Sequence, residues 1–372
     1  MAAVFTEMIS RSGNLQNVPF QGFVSWPSGS QWSELIYPTP SHNGPLFYGD
    51  SGWYWSIVVN GYQKVPSAFG TANWAFFPLY PELVALFGSN PWSGVLISNL
   101  STLLAVLILQ EVLTNKYNSN LGYRAAVLML YFPFSYHLSV FRPEGLLLLL
   151  IVLTYFFAVK HRWLLAGLCG FLAALTKPDG LSTAFLISYM YLLSINFQWR
   201  RIRFGSVATL GPFAGVTLFS LYLWIVTGDP FAWFHIRSAW DQALRFPGAA
   251  ISAYLQHPLF IDTGGWNLAG INWLVMIVSL ITASYLLARS FHKRDREELG
   301  LGVFSILYVL AVMTVAGSVN FGRYVLPIFP LFLVWGELLD RHSLFEVVLV
   351  MFAGLLALFG CWIGLGLEAV MV

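Results

Sequence analysis

The strongest constraint in this chain is a succession of apolar runs separated by short polar connections. The runs lie at roughly 93–113, 123–140, 145–159, 163–176, 180–196, 204–226, 268–288, 300–317, 324–338 and 344–366. A helical crossing of a bilayer core needs ~20 apolar residues. In lipid every backbone polar group must be satisfied within the segment, so runs of this kind are helices. The expectation is an all-α polytopic membrane protein of about ten transmembrane helices, the three between 145 and 196 being short. Composition agrees: 57% of the 372 residues are hydrophobic and only 10% are charged, where a soluble domain carries about 25%. A net charge of +2 is too small to point to nucleic acid. The two cysteines, Cys169 and Cys361, fall in apolar runs and read as packing residues.

The connections alternate. One set (TNKYNSNLGYR, KHRW, QWRRIRFG, ARSFHKRDREE, DRHS) holds Lys116, Arg124, Lys160, Arg162, Arg200, Arg201, Arg203, Arg289, Lys293, Arg294, Arg296 and Arg341. That is the larger part of the 19 Lys and Arg, and positive charge marks the cytoplasmic side. The other set comprises 43–92, FRPEG, TKPDG, 227–267 and NFGRY, rich in Pro, Gly, Asp, Trp and His. It is assigned to the extracytoplasmic side, which would be lumenal in a eukaryote. The basic connections are too short for a nucleotide-binding domain, and neither GxGxxG nor a P-loop is present. Chemistry therefore belongs on the outer face, with an activated substrate that is not a cytosolic nucleotide.

Residues 1–47 contain no spanning run and no signal peptide, although the charge pattern places 43–92 outside. The expectation is that a helix precedes Met1 and that 1–47 is an extracytoplasmic segment, poorly ordered or the remnant of a loop. Residues 48–372 form one membrane domain.

Five polar stretches carry the candidate chemistry. In YGDSGWYWSIVVNGYQK, a helix starting at Asp50 puts Trp53, Tyr54, Ile57 and Val58 on its face. It is too short to span and should lie in the interface. Asp50 or Ser51 can cap that helix, and this cap with an aromatic belt is the plain alternative to a catalytic Asp50. In NWAFFPLYPELVALFG, Pro78 and Pro81 fix a bend that Phe76, Phe77 and Tyr80 would line. FRPEG and TKPDG are turns of like form, each with a cation beside Pro and an acid beside Gly: Arg142 with Glu144, and Lys177 with Asp179. Cations on this face suit an anionic lipid head group or phosphate; local Arg–Glu and Lys–Asp pairing is the alternative. VTGDPFAWFHIRSAWDQ offers Asp229, His235, Arg237 and Asp241 among four aromatics, a composition suited to a sugar. An interfacial helix without chemistry would read the same. VNFGRYVLPIFP places Arg323 and Tyr324 just outside a helix carrying Pro327 and Pro330. HExxH, CxxC and GxSxG are absent, and His137 is the one ionisable residue well inside a run.

Read together, GDSGWYWSIVVNGYQK, FFPLYP, TGDPFAWFHIRSAW and GRYVLPIFPLF resemble the PIG-V-like mannosyltransferases, glycosyltransferase family 76. The resemblance runs from about 48 to 340 in the right order. It implies a GT-C fold, with interfacial helices in the first outer loop. It also implies an inverting transfer of a hexose, usually mannose, from a polyprenyl-phosphate sugar to a glycan or glycolipid acceptor. The family's catalytic acid in the first outer loop corresponds to Asp50. The spanning helix that usually precedes that loop is missing here, in line with the expectation above. The short chain looks prokaryotic, so a cell membrane is expected, or the endoplasmic reticulum membrane if eukaryotic.

On this reading Asp50 is the general base, and Arg142, Lys177 and Arg323 bind the donor phosphate. The sugar and acceptor pocket is drawn from Trp53, Tyr54, Phe76, Phe77, Tyr80, Glu144, Asp179, Asp229, His235, Arg237 and Tyr324. No cofactor is required beyond the lipid-phosphate sugar. A divalent metal is left open, since Asp50, Asp229 and His235 could converge. The alternatives are a non-catalytic subunit bound to a partner membrane glycosyltransferase, and a lipid or glycan transporter. A transporter would call for ionisable residues inside the spans.

Overall fold

The computed structural model describes residues 46–47, 49–67, 70–240, 242–256, 269–315, 320–340 and 342–364. The expectations for residues 1–45, and for Asp241, lie outside the described residues. In chain order the α-helices are α1 (Asp50–Asn60), α2 (Leu79–Leu86), α3 (Pro91–Lys116), α4 (Ser119–Tyr131), α5 (Glu144–Val159), α6 (Trp163–Thr176), α7 (Thr183–Ser194) and α8 (Gly211–Thr227). They continue as α9 (Ala232–His235), α10 (Pro247–Gln256), α11 (Ala269–Lys293), α12 (Arg296–Val315), α13 (Phe321–Val325), α14 (Phe329–Leu338) and α15 (His342–Gly364). The described residues include no strand.

Among the described residues, five helical segments are long and apolar enough to cross a membrane: Pro91–Lys116, Phe204–Thr227, Gly270–Lys293, Arg296–Val315 and Ser343–Cys361. Shorter apolar helices stand at Glu144–Val159, Trp163–Thr176 and Phe329–Leu338. Among the described residues the apolar runs fall mainly on helix, but four are interrupted, 204–226 by the 3₁₀ turn Phe204–Leu210 that opens it before α8. The run 123–140 stops at Tyr131, because Pro133 pushes Phe132 out of the helical region; a separate 3₁₀ turn follows at Ser135–Leu138. The run 180–196 opens with the 3₁₀ turn Pro178–Ser182 before α7. Pro327 and Pro330 divide 324–338 into α13 and α14.

Helix α3 is the axis of the first half. Asn90 caps it by accepting the Trp92 N–H at 2.9 Å, with Pro91 in the first turn. It packs on α4 and α5, α5 packs on α6, and α6 on α8; α11 pairs with α12, and α14 lies on α4. Two glycines bring the FRPEG and TKPDG turns onto neighbouring helices. A Cβ at Gly145 would sit 2.4 Å from the Ser98 carbonyl oxygen on α3, and one at Gly180 would sit 2.2 Å from the Ala173 carbonyl on α6. The glycines therefore seat both turns against the bundle, where their charged neighbours become buried.

Charged groups collect at two ends. At the basic end Arg289 bonds both Glu298 and Glu337, and Arg124 bonds Asp340. Lys116 lies 3.0 Å from Glu297, whose carboxylate also accepts the Tyr155 hydroxyl at 2.5 Å. The Tyr117 hydroxyl donates to Glu298 at 3.0 Å. These contacts tie the ends of α3, α11 and α14 to the start of α12, so three of the five basic connections, those holding Lys116 and Arg124, Arg289 and Lys293, and Asp340, meet in space. Arg289 and Glu298 are both buried, and losing one member of a buried pair costs about 3–5 kcal/mol. Arg289→Met should markedly lower the melting temperature of the purified protein in detergent. Arg289→Met combined with Glu298→Leu should recover much of that loss, because no charge is then stranded.

Candidate active site

The opposite end gathers the candidate residues from four separate segments. Gly49 precedes α1 with φ +52°, a conformation that favours glycine, and a Cβ there would meet the Arg142 guanidinium at 2.8 Å. Asp50 follows as the first residue of α1. The capping expectation is corrected: the N-cap is Gly49, and no side chain caps the helix. The Asp50 carboxylate instead turns to Arg323, which it bonds directly, and to Arg142 at 3.7 Å.

Arg142 is held in turn. Its carbonyl accepts the Ser98 hydroxyl at 2.6 Å, and its guanidinium lies 3.2 Å from His137 Nδ1. His137 was read from sequence as an isolated group inside a span; the break after Tyr131 carries it out of α4 and into this cluster. Arg323 also donates to the Tyr324 hydroxyl at 3.2 Å.

The two proline turns pair across to each other rather than only within themselves. Glu144 bonds Lys177 at 3.1 Å, and Lys177 reaches its own neighbour Asp179 at 3.6 Å. Of the alternative, local pairing within each turn, Lys177–Asp179 is present, while Arg142 pairs with Asp50 and Glu144 with Lys177. The Lys177 ammonium also stands 5.0 Å from the centre of the Tyr324 ring, in cation–π range.

Burial and charge set the chemistry. Burial alone would raise the Asp50 carboxyl, but Arg323 first and Arg142 second more than offset it, holding the group well below the usual carboxylate range. Burial would likewise lower Lys177, and Glu144 with Asp179 reverses that, so the ammonium stays charged. Burial, then the Glu144 and Asp50 carboxylates, push the Tyr54 hydroxyl well above its ordinary value. Tyr54 is therefore a neutral hydroxyl near neutral pH.

An aromatic layer packs around the start of α1. Trp53 stacks on Phe76 at 5.7 Å, Tyr54 meets the edges of Phe76 and Tyr80, and the Tyr80 hydroxyl bonds Ser98 at 3.1 Å. The loop carrying Phe76 is pinned by Asn73, whose Oδ1 accepts the Gln63 N–H at 3.1 Å and whose Nδ2 reaches Gly61 O at 3.0 Å. Phe77 departs from the expected lining: it is fully buried in a second aromatic group with Phe219 and Trp233. That group joins α9 to the loop.

Asp229, His235 and Arg237 are not brought into contact with Asp50. Asp229 and His235 bond each other at 2.7 Å on an exposed surface, and Arg237 reaches Gln242 at 3.4 Å. No group of three or more His, Cys, Asp or Glu that could hold a metal ion occurs among the described residues. Asp50, Asp229 and His235 therefore do not form the ligand set considered from sequence.

Comparison with known proteins gives the fold. A family model described as dolichyl-phosphate-mannose-protein mannosyltransferase matches residues 81–225. The structure of ArnT from Cupriavidus metallidurans bound to undecaprenyl phosphate is similar with a TM-score of 0.51 and 18% identity, over 79% of this chain and 56% of that one. The oligosaccharyltransferase of Archaeoglobus fulgidus gives a TM-score of 0.47 and 13% identity, over 100% of this chain and 53% of that one. This chain thus spans little more than half the length of either protein. No curated protein matches the sequence. The fold is an all-α, GT-C-like polytopic membrane bundle.

The depressed carboxyl gives a sign for pH. A carboxylate held below its unfolded value contributes stability above about pH 4, lost only as pH falls through the folded value. The melting-temperature gap between wild type and Asp50→Asn should be constant from about pH 5 to 8 and close below about pH 4. A gap that opened on acidification would contradict the pairing.

Proposed function

We propose that this chain is a membrane glycosyltransferase that moves a hexose, mannose, from a polyprenyl-phosphate donor to a glycan or glycolipid acceptor at the extracytoplasmic face. The observation that carries the reading is Asp50: a carboxylate, 32% exposed, at the mouth of a polar cluster and backed by the buried guanidinium groups of Arg323 and Arg142. The family model over 81–225, which names a dolichyl-phosphate-mannose enzyme, and the ArnT structure bound to undecaprenyl phosphate support the donor class. The resemblance to the PIG-V-like family supports mannose and inversion. The grouping of Lys116, Arg289 and Lys293 at the far end of the bundle supports the orientation, by the positive-inside rule.

The chemistry follows from the charges. The acceptor hydroxyl oxygen attacks the anomeric carbon as the carbon–phosphate oxygen bond breaks. The hydroxyl proton goes to Asp50, and the bonding pair leaves with the lipid phosphate. The carboxylate loses one negative charge while the phosphate goes from a singly charged diester to a monoester carrying one more. Arg323 and Arg142 stabilise that charge where it arrives. While they hold Asp50 the carboxylate is a weak base. A donor phosphate that draws them away restores its basicity, so base strength is coupled to donor binding.

Purified protein in lipid nanodiscs, given a polyprenyl-phosphate mannose and a glycolipid acceptor, should turn over. Asp50→Asn should lose activity by about 10²–10⁴-fold while binding bare polyprenyl phosphate at least as tightly as wild type, since the arginines no longer serve the carboxylate. Wild-type activity in Asp50→Asn would overturn the base assignment. An inactive wild type purified with a stable membrane partner would favour the accessory-subunit reading.

A further inference from the structure

The charged cluster is neutral as a whole but divided into two parts of opposite sign. Around Asp50 one carboxylate meets two guanidiniums, Arg323 and Arg142, a local excess of one positive charge. Around Lys177 one ammonium meets two carboxylates, Glu144 and Asp179, a local excess of one negative charge. The two parts adjoin: Arg323 and Lys177 both lie 5.0 Å from the Tyr324 ring, on which both centres converge.

The negative part also carries polar atoms with no hydrogen-bond partner among the described residues. They are Glu144 Oε2, Asp179 Oδ2 and the Tyr308 hydroxyl, all buried. Glu144 and Tyr308 are each only 2% exposed. Tyr308 projects from α12, within electrostatic reach of Asp179, Tyr324 and Glu144, and α12 packs against the 3₁₀ turn that bears Asp179. A buried hydroxyl without a partner destabilises the fold relative to phenylalanine, which has nearly the same shape and no polar atom. A carboxylate oxygen without a hydrogen bond is costlier still, Glu144 Oε2 having no partner and Asp179 Oδ2 only the 3.6 Å ion pair with Lys177. Lys177 does not account for them, because it is engaged with the other oxygen of Glu144 and is 3.6 Å from Asp179 Oδ2.

We infer that Glu144, Asp179 and Tyr308 form the subsite for the hydroxyl face of the donor sugar. The two carboxylates accept hydrogen bonds from neighbouring ring hydroxyls, and Tyr308 donates to or accepts from a third. Lys177 then acts as the positioning residue that keeps both acids ionised and in place, and the phosphate falls to Arg323 and Arg142 alone. The inference rests on the donor class proposed above and adds its orientation: phosphate at the positive part, sugar at the negative part, anomeric carbon beside Asp50. It also gives a specificity, for a ring rich in hydroxyl donors. A sugar deoxygenated or methylated at the contacted positions would leave the carboxylates without donors.

The test is a pair of binding measurements on the full chain in nanodiscs, with polyprenyl phosphate and with polyprenyl-phosphate hexose as the two probes. Tyr308→Phe and Glu144→Gln should each weaken the sugar-bearing lipid, by about tenfold as expected for a lost hydrogen bond to a charged or buried partner. Both should leave bare polyprenyl phosphate unchanged. Arg323→Met should weaken both probes. Tyr308→Phe preserves shape and serves as the variant least prone to misfold; a melting temperature equal to or above that of wild type confirms it. If Tyr308→Phe binds the sugar-bearing lipid as wild type does, or loses both probes equally, the subsite is wrong. If wild type binds neither probe, the donor class itself fails, which is a separate result.

Discussion

Two guanidinium groups hold the Asp50 carboxylate, and much of this end of the bundle is arranged to hold those guanidiniums. Arg142 is 4% exposed, locked through its carbonyl to Ser98 on α3 and through its side chain to His137. Arg323 sits in the short helix that ends ahead of Pro327, against Tyr324. Charges so buried are tolerated only when paired, so Asp50 is needed by the fold as well as available to chemistry. Gly49 turns the chain in front of α1 into the left-handed region, where its missing Cβ leaves room for Arg142.

The two charged ends of the molecule use ion pairs differently. At the basic end Arg289 and Glu298 are both sealed, with side-chain exposures of 6% and 2%. Their attraction is spent on joining α11, α12 and α14. At the opposite end Arg323 and Arg142 are buried and hold Asp50, which is partly exposed, much as Arg289 also holds the partly exposed Glu337. A ligand can therefore reach Asp50 without dismantling the helices behind it. What sets the Asp50 end apart is its charge ratio: one carboxylate faces two buried guanidiniums there, whereas the buried Arg289 faces two carboxylates.

Much of this was legible in the sequence, for physical reasons that vary by residue. Alternating connection charge told the two ends apart, because the ends are where charge is cheapest. Asp50, Arg142, Lys177 and Arg323 stood out because charged residues are scarce in this chain. Their pairing did not: each turn carries its own cation and acid, and nothing local shows that Glu144 prefers Lys177 on another helix. Phe77 looked like a neighbour of Phe76, but adjacent residues in an extended stretch point apart, and the two rings went to different aromatic groups. Tyr308 could not be found at all. Inside an apolar run a tyrosine reads as another ring, and only its unpaired hydroxyl in the folded bundle marks it.

The breaks in the apolar runs connect these points. A helix that continued from α4 to residue 140 would have left His137 facing lipid or a packed interface, and Arg142 without its support. Pro133 ends α4 early, and the 3₁₀ turn at Ser135–Leu138 folds His137 back to Arg142. Pro327 and Pro330 do the same for Arg323, separating α13 from α14 so that the arginine sits on a short helix beside Asp50. Irregular backbone at this depth is tolerated only where protein or a cavity surrounds it. Here it surrounds a carboxylate with its two arginines and a lysine with its two acids, and the interrupted helices are what place those groups within one ligand's reach.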